Sequence, residues 1–171
     1  MPLMGPNLRK FALTVHVVVT VGWLGSVAAF LALALTGVLA GATEEARGAY
    51  IAMGLVTSYV IVPLAIASLV TGILQSIGTP WGLFGHYWVV VKLGITLVST
   101  LLLLVHTHPI AILAELAAQP GHAYGDHPNL QRQMVVDATL ALIALIATTA
   151  LSIYKPRGLT PYGVRKAQRE N

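Results

Sequence analysis

The sequence predicts an all-α integral membrane protein, a bundle of four spanning helices with both termini on the cytoplasmic side. Three observations carry this expectation. First, 56% of the 171 residues are hydrophobic and only 9% are charged. A soluble domain carries about 25% charged residues, so lipid rather than water must cover most of this surface. Second, four stretches, 11–40, 50–77, 86–105 and 134–154, reach the roughly 20 mainly apolar residues that a spanning helix needs. Third, lysine and arginine gather at the two ends of the chain. Arg9 and Lys10 precede the first stretch, and Lys155, Arg157, Arg165, Lys166 and Arg169 follow the last. Basic residues mark the cytoplasmic side, and an even number of spans agrees with two like-sided ends.

The first stretch, Phe11 to Ala40, is longer than the roughly 7–15 apolar residues of a signal peptide, and it reads as a retained span. The connection to the second stretch holds Glu44, Glu45 and Arg47. The one between the third and fourth holds Glu115, Asp126 and Arg132. With so little positive charge, both are expected outside. The segment between the second and third stretches, 78–85, is then cytoplasmic. Pro63 should disturb the second helix by removing a backbone donor. The segment 109–119 (PIAILAELAAQ) reads as a short amphipathic helix on the outer surface. The last 17 residues, 155–171, form a basic cytoplasmic tail suited to anionic headgroups. Together these make one domain, 1–171, in a bacterial inner membrane. Small residues spaced four apart, Gly22 with Ser26 and Gly37 with Gly41, favour close helix packing. They serve the bundle itself, a homo-oligomer or a contact with another membrane subunit.

Several functions are excluded at this level. No basic stripe with interleaved aromatics lies outside the tail, so nucleic acid is not an expected partner. There is no cysteine, which removes disulfides, thiolate metal sites, iron–sulfur clusters and thioether-linked haem. No nucleotide loop, HExxH motif or nucleophile elbow is present.

Function is expected where ionisable residues enter the spans, because they are costly there. His16 lies about 8 Å along the first stretch, and Thr20 and Trp23 share its helical face. His86 opens the third stretch from the same side, with Lys92 about 9 Å further along. Two imidazoles at similar depth on two helices are what a bis-histidine haem b requires, and Lys92 or Arg9 then neutralises a propionate. The same residues also fit plainer roles. His86 stands beside Tyr87 and Trp88 in an interfacial belt, and His16 can bond a carbonyl or Thr20. At the other end are His106, His108, His122, Asp126, His127 and Asp137. Among these, His106, His108 and Asp137 are candidate ligands for copper, zinc or a second haem. Asp137 can equally pair with His106 or Arg132.

The block His16-Val-Val-Val-Thr-Val-Gly22-Trp23-Leu-Gly25 and the block from Gly78 through His86 to Lys92 resemble segments of small actinobacterial four-helix membrane proteins. More loosely, the chain is similar to copper-resistance D-type proteins and to four-helix cytochromes b. The resemblance covers less than a third of the chain. It implies haem b bound near helix ends and electron exchange with quinone or an oxygen species, that is, a membrane oxidoreductase. Helices two and four contain no histidine, so it implies one haem. The competing expectations are a haem-free transporter or metal-handling protein that uses the outer histidines and Asp137, and an accessory subunit of a larger membrane complex.

Overall fold

The structure is a computed structural model that describes residues 4–41, 43–79, 82–119 and 127–170. It is all-helical, and four of its helices are long and apolar enough to cross a membrane. The first is α1 (Pro6–Leu39). The second, Glu44–Ile77, is built from α2 (Glu44–Val56), a π-helical turn (Thr57–Ile61) and α3 (Val62–Ile77). The third is α4 (Tyr87–Ala118) and the fourth α5 (Pro128–Tyr154); a short α6 (Pro161–Glu170) follows. Each spanning helix packs on the next. α1 also packs on α5, and α4 on α5, which closes a square in which α1 and α4 lie on one diagonal. The spans thus run up and down in turn.

These helices outrun the apolar stretches that mark them. The 34 residues of α1 extend about 51 Å, against a hydrocarbon thickness of about 30 Å. Hydropathy registers the apolar middle of each helix, whereas backbone hydrogen bonding continues through its more polar ends. Pro6 begins α1, where a missing N–H costs nothing because the first turn has no acceptor for it. Thr43 caps α2 by accepting from the Ala46 N–H at 3.3 Å, with Glu44 and Glu45 in the first turn where the helix dipole favours negative charge.

Two prolines have different fates. Pro63 cannot donate to the carbonyl four residues back, and the helix responds just ahead of it with the π turn. There the Val62 N–H reaches back five residues to the Thr57 carbonyl. Pro109 lies inside α4 without ending it. The segment expected to form a separate surface helix instead continues α4. Its apolar face, Ile110, Leu113 and Ala117, is buried in the core. The amphipathic pattern was real, but the bundle rather than the headgroups covers it.

The core is one continuous cluster. Trp23, Val27, Phe30 and Ala34 follow one face of α1, and Tyr50, Met53, Ile61 and Ala65 come from the second span. Leu113 and Ala117 come from α4, with Met134, Ala138 and Leu145 from α5. Outside it, Val18, Val21, Leu101, Val105, Leu140 and Ile146 are exposed, an apolar jacket suited to lipid. Close approach is set by glycine at Gly54, where a β-carbon would stand 2.7 Å from Ala114 Cβ.

The charged Arg47 has a structural task. Its Nε donates to the Ala117 carbonyl at 2.7 Å and another guanidinium nitrogen to the Ala118 carbonyl at 3.2 Å, while Glu44 lies 3.4 Å away. A cation on the free carbonyls of a helix C-terminus satisfies both hydrogen bonding and the dipole. Arg47→Met should therefore cost about 1–2 kcal/mol and speed amide exchange in the last turn of α4. Unchanged exchange there would show that the cap contributes nothing.

At the opposite end the tail folds back. The Thr160 N–H donates to the Gly85 carbonyl at 3.1 Å and the Tyr87 N–H to the Gly158 carbonyl at 3.3 Å. His86 forms an antiparallel bridge with Leu159. Gly163 lies so close to the Gly85 carbonyl that a side chain would collide with it.

Candidate functional site

The end of the bundle that carries the start of α1 and of α4 and the finish of α3 and α5 contains a cavity of about 730 Å³. Ligand and cofactor sites span roughly 300–1,000 Å³. Both ionisable residues singled out within the first and third spans, His16 and Lys92, line it. Its walls are largely aliphatic, but each spanning helix contributes hydroxyls: Thr20, Ser68, Thr96, and Thr148 with Ser152.

His16 is buried and held from α3. Its Nδ1 lies 2.9 Å from Thr71 Oγ1. That hydroxyl already donates to the Ala67 carbonyl at 2.7 Å, so the imidazole is the donor and its proton sits on Nδ1. Nε2 is left as an acceptor with no partner among the described residues. Gly72 gives the ring room, since a β-carbon there would meet Cε1 at 3.2 Å. At the other end of the α1–α4 diagonal, Lys92 Nζ donates to Ser152 Oγ on α5 at 2.7 Å. Ser152 passes its own hydrogen to the Thr148 carbonyl, which leaves its lone pairs for the lysine.

The electrostatics of the cavity are one-sided. Arg9, Lys10, Lys92 and Lys155 line it, and among the described residues no aspartate or glutamate does. Two further polar groups on its wall, the indole N–H of Trp23 and Oε1 of Gln75, are buried without a hydrogen-bond partner among the described residues. Trp23 is only 2% exposed. A buried polar group without a partner is destabilising by about 1–3 kcal/mol, and neither of these two atoms is itself exposed to the cavity.

His86 is placed differently. It is the half-buried N-cap residue of α4 and is not among the residues that line the cavity with His16. Equal depth on two helices does not fix rotation about the helix axis, and here His86 meets the returning tail. For haem b the fit is therefore partial. His16 offers one axial nitrogen and the cations suit propionates, but the structure does not bring a second histidine to the same cavity.

At the far end, His106 and Asp137 meet, with Nε2 and Oδ2 3.3 Å apart. This is an ion-pair approach without hydrogen-bond alignment, as Oδ2 has no bonded partner. His106 Nδ1 donates to the Leu102 carbonyl at 2.7 Å. His108, two residues on, points elsewhere on the helix and is exposed, and His127 is the exposed N-cap residue of α5. His122 and Asp126 lie outside the described residues. Among the described residues no three His, Cys, Asp or Glu side chains converge, whereas catalytic zinc uses three protein ligands and structural zinc four. The pairing of Asp137 with His106 was the plainer of the expectations for this end.

Thr71, Ser152 and Gln75 were not identified from sequence. The available signal was a polar stripe on the second span, Ser68, Thr71, Gly72, Gln75, Ser76 and Thr79, at helical spacing. Comparison with known proteins adds no relative: no family model, curated protein or solved structure matches the chain.

Proposed function

We propose that this protein binds a small organic ligand within the cytoplasmic half of a bacterial inner membrane, in the cavity that His16 and Lys92 share. The orientation rests on the basic residues at both chain ends, which puts the cavity on the cytoplasmic side. One observation carries the reading. Two ionisable side chains from different spans, each expensive in lipid, line a single cavity of ligand size. His16 serves as an oriented acceptor through Nε2, fixed by Thr71, and Lys92 serves as a fixed positive charge, steadied by Ser152.

Haem b is the specific ligand that the available nitrogen of His16 favours, and His16 would hold it. Bound there, it would supply one-electron chemistry with quinone as a fitting partner. Thr71 would then orient the imidazole through Nδ1, and Lys92 and Arg9 would neutralise the propionates.

The test is to purify the protein in a mild detergent and examine it by native mass spectrometry and visible absorption. A retained small molecule is expected, in lower occupancy in His16→Leu; a Soret band identifies it as haem. If the protein carries no bound small molecule, a tightly held lipid included, or if His16→Leu retains as much ligand as the wild type, the reading fails.

A further inference from the structure

We infer that the ligand of this cavity is an amphipathic organic anion, with a carboxylate or phosphate head set against Lys92 and an apolar body among the aliphatic walls. The inference rests on the ligand-binding reading above and adds the charge and shape of the ligand.

The first argument is charge balance. Lys92 stands sixth in α4, about 7.5 Å inside the helix. Its hydrogen-bond partner is neutral, the Ser152 hydroxyl. The carboxylates of Glu44 and Asp137 face Arg47 and His106, both at the other end of the bundle. With Arg9 and Lys10 also on the wall and no carboxylate there among the described residues, the cavity around Lys92 is lined by positive charge. In a setting of low dielectric, an anion that enters is held far more strongly than in water, while a cation is repelled.

The second argument is hydrogen-bond direction. The hydroxyls of Thr20, Thr148, Thr149 and Ser152 spend their hydrogens on carbonyls of their own helices. Among the described residues, the charged donors that remain toward the cavity are the cations, beside the hydroxyls of Ser68 and Thr96 and one acceptor, His16 Nε2. The positive charge sets the preference, and it suits acceptor oxygens.

The third argument is the wall. Leu13, Val17, Leu24, Leu69, Val89 and Leu93 line the same space, so a bare inorganic anion would leave most of it unfilled. An anion with a hydrocarbon or ring body fills it, and haem with its propionates belongs to this class.

The experiment measures the thermal unfolding midpoint of the full chain in an uncharged detergent, titrated with dodecyl phosphate, inorganic phosphate or dodecanol. Dodecyl phosphate should raise the midpoint saturably in the wild type. The midpoint concentration should rise at least about tenfold in Lys92→Met, stay near wild type in Lys92→Arg, and be unchanged in the surface control Lys166→Gln. Lys92→Arg keeps the test decisive if Lys92→Met folds poorly. An equal response to inorganic phosphate would make the ligand a free anion and overturn the amphiphile. An equal response to dodecanol, or no dependence on residue 92, would overturn the anionic head. Saturable dodecanol binding that is lost in His16→Leu would leave the ligand-binding reading standing while its charge fails. No saturable response to any of the three would sink both.

Discussion

Leu113→Ala should destabilise the bundle by about 2–5 kcal/mol, the range for deleting a well-packed aliphatic side chain that leaves a cavity. Leu113 is 1% exposed and sits in the core with Ile110 and Ala117. Its neighbour Ile112 is 39% exposed, and Ile112→Ala should change stability by no more than about 0.5 kcal/mol. The contrast matters because the two residues lie beyond Pro109, in the segment that amphipathicity alone assigns to the membrane surface. A surface helix would make both substitutions mild. The pair therefore reports, by unfolding in detergent, whether α4 runs through Pro109 into the core. Equal midpoints for the two variants would contradict the continuous helix.

Gly37→Leu should have an effect of similar size through the opposite mechanism. A β-carbon at Gly37 would lie 2.5 Å from Cε1 and Cζ of Tyr50 and 2.8 Å from its hydroxyl. Tyr50 is itself 1% exposed and cannot swing aside without disturbing the core. Overpacking of this kind costs about 1–3 kcal/mol, and the three further carbons of leucine place this variant at the upper end. Gly25 is the control. It lies on the same helix, but a β-carbon there would meet nothing within 4 Å, so Gly25→Leu should unfold at or slightly above the wild-type midpoint, as leucine favours helix over glycine. If both variants unfold alike, the close α1–α2 contact at Gly37 is wrong.

How much of this was legible in the sequence follows from what each pattern measures. The four spans were plain because a chain with so few charges has no alternative way to hide its apolar residues. Their ends were not, because hydropathy falls where polar residues begin while helical hydrogen bonding continues, as at Pro6 and Ala118. Pro63 announced a disturbance; that a π turn absorbs it, packed against α1 and α4, is something no local pattern encodes. Arg47 read as a loop cation, since nothing local reveals that the last carbonyls of α4, some 70 residues away, lie within its reach.

At the site, His16 and Lys92 stood out because charge in lipid is rare, and both do line the cavity. Their supports, Thr71 and Ser152, were hidden because a hydroxyl in a helix can satisfy itself on the preceding turn and needs no further reason to be there. The partnership of His16 with His86 relied on depth alone. His86, which caps the start of α4, is bridged to Leu159 of the returning tail, a contact more than 70 residues away in sequence that no local pattern reveals.

The central claim, a positively charged ligand cavity entered from the cytoplasmic side, has a direct test because the chain contains no cysteine. Thr96→Cys places a single thiol on the cavity wall. In oriented membrane vesicles its modification rate can be measured with a negatively charged and a positively charged methanethiosulfonate, applied from each side. The account predicts that the negative reagent reacts several-fold faster than the positive one, from the cytoplasmic side, and that adding Lys92→Met removes the preference. Faster reaction with the positive reagent, access only from the opposite side, or no reaction from either would contradict it.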